Sequence, residues 1–141
     1  MAWLSIVLVV LGNVVYHIGQ RAIPREANPV VATLAAYVVA MVATLATIPF
    51  MARGVAFGSA WRTLNSSTLL VGTGIVAVEL GFLLAYRSGW AISNASLTAN
   101  ALLAVVLLAL GALVFREPVS FGRVVGVALC LGGLWLVTRP Q

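Results

Sequence analysis

One carboxylate lies deep inside an apolar stretch of the sequence. The run from Gly72 to Trp90 has the length and composition of a membrane-spanning helix, and Glu79 lies near its middle. The other two acids of the chain, Glu26 and Glu117, lie in polar connections. An ionisable side chain at bilayer depth is costly, so Glu79 is a candidate functional residue, and a structural carboxylate neutralised by a buried arginine or hydroxyl is the alternative. Its predicted helical face also carries Gly72, Ile75, Val76, Phe82, Leu83 and Tyr86.

A polar stripe lies in the second half of the first apolar run. Asn13, His17 and Gln20 are spaced so that they share one face of a helix. Lipid does not solvate such a stripe, so it should face other helices or a cavity, and both roles stay open. We do not expect His17 to bind a metal, because no second histidine is available to complete a site. No cofactor is predicted.

A second polar stripe opens the fourth apolar run. Ser93, Ser96 and Asn100 share one helical face, and the residues that follow are purely apolar. A helix that is polar on one side to mid-depth favours a hydrophilic cavity, while packing of these side chains against neighbouring helices is the alternative. The candidate substrate- or proton-binding residues are therefore Asn13, His17, Gln20, Glu79, Tyr86, Ser93, Ser96 and Asn100.

The composition indicates the elements that position these residues. The chain is 62% hydrophobic and only 8% charged, which excludes a water-soluble domain and predicts an all-α integral membrane protein. The apolar runs predict five spans in a single domain over residues 1–141, at about 3–20, 30–52, 68–86, 91–115 and 121–137. The first run lacks a basic leader, so it is expected to be a retained span.

The connections carry their own signals. Asn28 and Ser120 are predicted to cap the helices that follow them. The connection from Arg53 to Ser66 is either a short interfacial helix or a loop. In the last span, Gly126, Cys130 and Gly133 form a groove of small residues that suits a dimer interface or packing within one protomer.

The net charge of +5 comes from eight arginines scattered singly at the ends of the apolar runs. Such residues anchor loops at lipid headgroups and do not form a nucleic-acid surface. Five spans would place four arginines on each side of the membrane: Arg53, Arg62, Arg116 and Arg123 on one, and Arg21, Arg25, Arg87 and Arg139 on the other. The positive-inside rule then gives no preferred orientation, as in a chain that inserts both ways.

The segment 85–137 resembles the end of an EamA-type unit of the drug/metabolite transporter superfamily. It has a polar helix, a glutamate-containing turn at Arg116-Glu117-Pro118 and a glycine-rich last helix, although Asn100 stands near the place of a frequent proline. The resemblance implies a five-span repeat, and members hold two such repeats in inverted orientation with the substrate site between them. One unit would rebuild this architecture as an antiparallel homodimer of ten helices.

The small multidrug resistance proteins are also similar, as short antiparallel dimers with a membrane carboxylate. Their acid lies in the first span, where this chain has His17, so their drug specificity is not carried over.

We expect a proton-coupled secondary transporter of a small polar, cationic or zwitterionic metabolite or drug, in a bacterial-type inner membrane. Its partners would be a second copy, the substrate and membrane lipid. A lipid-linked headgroup flippase, or a subunit of one, and a non-transporting assembly subunit are the alternatives. The chain shows no nucleophile–base pair or phosphate loop that would indicate an enzyme.

Overall fold

The computed structural model describes residues 2–139, which form helices and connections without strands. The helices are α1 (Ala2–Ala22), α2 (Pro29–Met51), α3 (Phe57–Arg62), α4 (Ser67–Arg87), α5 (Ile92–Leu113) and α6 (Phe121–Thr138). Within this described range, five of them are long and apolar enough to cross a membrane. At 1.5 Å per residue they are about 27–35 Å long, which matches the hydrocarbon thickness. These five helices coincide with the five predicted spans, with each end within two residues of the prediction.

The predicted helix caps are also present. The Asn28 side chain accepts hydrogen bonds from the backbone N–H groups of the next two non-proline residues, at 2.9 and 3.3 Å, and Pro29 occupies the first helical position. The Ser120 hydroxyl accepts a bond from the backbone N–H of Arg123 at 3.3 Å. Between the second and third spans, α3 confirms that the connection contains a short helix. Local sequence therefore determines where these helices start.

The chain divides into two compact units at Ser88 and Gly89. In the first unit, α4 packs against both α1 and α2. Helices α1 and α4 run in the same direction, because the last turn of α1 lies beside the last turn of α4. The start of α2 lies near the end of α4, so these two helices run in opposite directions. The helix that carries Glu79 is therefore the centre of this unit.

The second unit consists of α5 packed against α6. The turn between them is closed by a 2.8 Å hydrogen bond from the Glu117 backbone N–H to the Gly111 carbonyl oxygen. Gly111 is buried, and a side chain there would meet the Glu117 carboxylate at 3.2 Å. The predicted groove of small residues on α6, formed by Gly126, Cys130 and Gly133, is exposed.

Candidate functional site

The carboxylate of Glu79 is bound by an amide from the first span. The Gln20 side chain is buried and its Nε2 donates a hydrogen bond to Glu79 Oε2. The same nitrogen lies 3.4 Å from the Glu79 backbone carbonyl oxygen. The parallel packing of α1 and α4 brings these two residues to the same level. Glu79 is thus held by a neutral donor.

No arginine or histidine nitrogen lies within 4.0 Å of the Glu79 carboxylate among residues 2–139. A structural carboxylate would be neutralised by a buried arginine or a hydroxyl, since a buried charge without a partner is costly, and no arginine takes that place within the described residues. Two phenols are close instead. Tyr16 on α1 and Tyr37 on α2 both lie near enough to Glu79 for its charge to act on them. The surroundings of Glu79 are polar but uncharged.

Glu79 opens onto a groove of about 440 Å³ on the first unit. Its polar contributors are Asn13, Tyr16 and Glu79, and its walls are otherwise glycine, valine and isoleucine from α4. Asn13 is exposed there, and its amide also donates to the Val9 carbonyl oxygen at 3.0 Å. Cavities of this size accommodate small organic molecules. The groove therefore places one ionisable group against a largely apolar surface.

His17 and Tyr86 form a separate buried pair, in which Tyr86 lies seven residues, about two turns, after Glu79 along α4. The Tyr86 hydroxyl lies 2.7 Å from His17 Nδ1, and the two side chains are 2% and 8% exposed, respectively. Phe82 packs edge-on against His17, at 4.7 Å between ring centroids, and stacks on Tyr86. These rings pack α1 against the part of α4 that follows Glu79. His17 lies in this aromatic contact and not on the groove.

Removing the Tyr86 hydroxyl should destabilise the first unit. Tyr86→Phe leaves the buried His17 Nδ1 without its partner, which we expect to cost about 1–2 kcal/mol of unfolding free energy. The matched control is Tyr37→Phe, because the Tyr37 hydroxyl is buried without a hydrogen-bond partner within the described residues. Denaturation of both variants in detergent micelles measures the difference. Equal stability of the two variants would contradict a stabilising His17–Tyr86 bond.

Two arginines fasten the ends of the helices around this pair. Arg21 Nη1 donates to the Tyr86 carbonyl oxygen at 2.9 Å, at the C-terminal end of α4. Arg87 Nη2 donates to the Ala27 carbonyl oxygen at 2.5 Å and to that of Pro24 at 3.3 Å. Helix-end carbonyls lack partners within their own helix, and cations near them are favourable. The first loop is therefore bound to the end of α4.

The candidates on α5 belong to the second unit and bond along their own helix. The Ser96 hydroxyl donates to the Ile92 carbonyl oxygen at 2.8 Å, and the Asn100 amide donates to the Ser96 carbonyl oxygen at 2.8 Å. Ser93 and Asn100 are exposed. The structure thus gathers Gln20 and Glu79 into one contact, with Asn13 on the adjoining groove.

Two residues near Glu79 were not predicted from the sequence. Tyr16 lies four residues before Gln20, and its hydroxyl is 3.4 Å from Gln20 Nε2. Extending the polar stripe of α1 by one position would have included it. Tyr37 lies in a span without any other chemical signal, so only the packing of α2 on α4 reveals it.

No protein-family model, curated protein or solved structure matches this chain. The chemistry of the site rests on its own geometry. The Glu79 carboxylate accepts a hydrogen bond from an amide, lies near two phenols and borders a groove. Such a carboxylate can bind a proton or an organic cation in turn.

Proposed function

We propose that this chain is a secondary membrane transporter that exchanges protons for a small cationic or zwitterionic solute. The observation that carries the proposal is the Glu79 carboxylate on the groove, which no arginine or histidine nitrogen approaches within 4.0 Å among residues 2–139. An ionisable residue in a span that lines a cavity is typical of proton relays and substrate pathways.

The coupling follows from competition for one carboxylate. Gln20 supplies a single neutral hydrogen bond, which does not cancel the charge of Glu79. The carboxylate is therefore stabilised either by a proton or by a cationic group of the solute. Because the two occupants exclude one another, each solute that leaves the site allows a proton to enter. The valine and isoleucine walls of the groove suit the apolar part of an organic cation.

The proposal includes an antiparallel homodimer in a bacterial-type inner membrane. The resemblance of segment 85–137 to an EamA-type unit and the four arginines on each predicted side support it. A second copy inserted the other way round would supply the inverted partner unit, with alternating access at the interface. The exposed stripe of Gly126, Cys130 and Gly133 on α6 offers a surface for close helix contact.

Purified protein in liposomes with a pH-sensitive dye inside tests the transport activity directly. We expect addition of small organic cations or zwitterions outside to drive protons out of the liposomes, in a saturable manner. A neutral solute of similar size should give no signal. Absence of solute-dependent proton movement across such a panel would contradict proton-coupled exchange.

A lipid-headgroup flippase is the second candidate, and the arginines that cluster near the ends of α1 and α4 favour it. Such cations lie at the depth where lipid phosphates are found. Scrambling of labelled lipids in the same liposomes, without solute-driven proton movement, would select the flippase. Absence of both activities would favour a non-transporting assembly subunit. In that case the groove beside Glu79 would bind no transported solute.

A further inference from the structure

A second cavity, of about 220 Å³, lies where the ends of α1 and α4 meet. It is lined by three arginines, Arg21, Arg25 and Arg87, together with Gln20 and Tyr86. Arg21 and Arg87 lie in the last turns of their helices, and Arg25 lies in the loop that Arg87 fastens to α4. The contacts between α1, α4 and this loop thus bring three cations to one cavity.

Within the described residues, no ion pair balances the positive charge of this cavity. Within residues 2–139, no carboxylate oxygen lies within 4.0 Å of any of these three guanidinium groups. Cavities lined by one sign of charge concentrate ions of the other sign. The cavity should therefore attract anions.

The hydrogen bonds of the arginines leave donors for such an anion. Arg21 and Arg87 each use one terminal nitrogen on backbone carbonyl oxygens. The other terminal nitrogen of Arg87, Nη1, makes no hydrogen bond within the described residues and is not among their buried unpaired atoms. It is therefore a charged donor available to a bound acceptor. Arg25 is exposed on the cavity and makes no hydrogen bond to the described chain through its side chain.

From this geometry we propose that the cavity is a binding site for a phosphate group. Guanidinium groups bind phosphate oxygens in bidentate pairs, which are stronger than neutral hydrogen bonds. The site lies at the ends of two spans, where phospholipid headgroups are found. The phosphate therefore belongs either to a lipid headgroup or to a soluble phosphate ester, and both present the same oxygens to the arginines.

The proposal goes beyond proton-coupled exchange and does not depend on it, because binding here is measured without a proton gradient. Delipidated protein in neutral detergent is titrated with inorganic phosphate by calorimetry. In a second arm, phosphatidylglycerol is added, and the lipid retained per chain is counted by native mass spectrometry. We expect saturable binding in at least one arm. Binding in the first arm identifies a soluble ligand, and binding in the second arm alone identifies a lipid headgroup.

Arg25→Gln is the main variant, since its side chain makes no internal hydrogen bond and the fold should persist. Loss of one charged hydrogen-bonding partner should weaken binding by roughly tenfold. Arg25→Lys should retain part of the affinity, because it keeps the charge but not the planar fork. The matched control is Arg62→Gln, which removes an exposed arginine from α3.

Thermal denaturation confirms that each variant is folded before binding is compared. Equal loss of binding in Arg25→Gln and Arg62→Gln would overturn the proposal, since it would indicate attraction to the net charge alone. Absence of saturable binding to both probes by the native protein would also overturn it.

Discussion

Glu79→Gln is expected to reduce solute-driven proton movement in liposomes to the level of protein-free liposomes. Glutamine has nearly the same shape as glutamic acid, and its side-chain oxygen can still accept the hydrogen bond from Gln20. It cannot ionise, so it neither releases a proton nor attracts a cation. The change removes the proposed chemistry while the contact between α1 and α4 remains. The initial rate of dye response after solute addition measures the effect.

Glu117, an acid in the turn between α5 and α6, offers a matched control. Glu117 lies in the turn of the second unit, and its side chain is 62% exposed beside Arg123. Glu117→Gln removes the same charge and should leave proton movement unchanged, because the backbone bond that closes the turn is retained. Glu79→Asp keeps an acid but shortens the side chain, so it should keep partial activity with a weaker contact to Gln20.

Retention of proton coupling by Glu79→Gln would contradict the exchange mechanism. In that case the carboxylate would serve to hold α1 against α4 through Gln20, and unfolding measurements would then assign its role. A loss of activity with unchanged thermal stability separates the two roles, since a purely structural contact would alter stability first.

The spans and caps could be predicted because they depend on local sequence. A run of apolar residues near membrane length has few alternatives to a helix, since each backbone group must be bonded within the segment. Asn28 and Ser120 cap their helices through bonds to residues two or three positions away. Such features need no knowledge of the neighbouring helices.

The contacts of the site could not be predicted. Helical periodicity shows which residues share a face of one helix, but not which helix packs against that face or how the two helices are shifted along their axes. Asn13, His17 and Gln20 share a face, yet only His17 and Gln20 are buried in the structure, and Asn13 remains exposed. Gln20 binds Glu79, whereas His17 binds Tyr86, about two turns further along α4. The relative shift of two helices is set by the fit of many side chains at once.

The arginines also have roles that composition hides. From the sequence, Arg21 and Arg87 are interfacial anchors at span ends. In the structure Arg21 also donates to a carbonyl oxygen 65 positions away, in Tyr86. Arg87 likewise donates to one 60 positions away, in Ala27. Arg25 makes no such bond but lines the same cavity. Single-sequence patterns do not distinguish an anchor from a member of a binding site.

Removal of one arginine should shift the orientation of the chain in the membrane. With four arginines on each predicted side, the native chain carries no charge bias, and a C-terminal reporter should be detected on both sides. Arg25→Gln leaves three arginines on the C-terminal side and should move the reporter outward. Arg62→Gln leaves three on the opposite side and should move it inward.

The paired variants give this experiment its own controls. Each removes one exposed arginine, so a general loss of membrane insertion would lower both reporter signals together. The double variant Arg25→Gln with Arg62→Gln restores the tie, three against three, and should recover the native distribution of the reporter. Co-expression of the two single variants should also give more solute-driven transport than either variant alone, because an antiparallel dimer needs both orientations. A native reporter detected on one side only, with both single variants unchanged, would contradict the antiparallel dimer and would require the inverted unit to come from another chain.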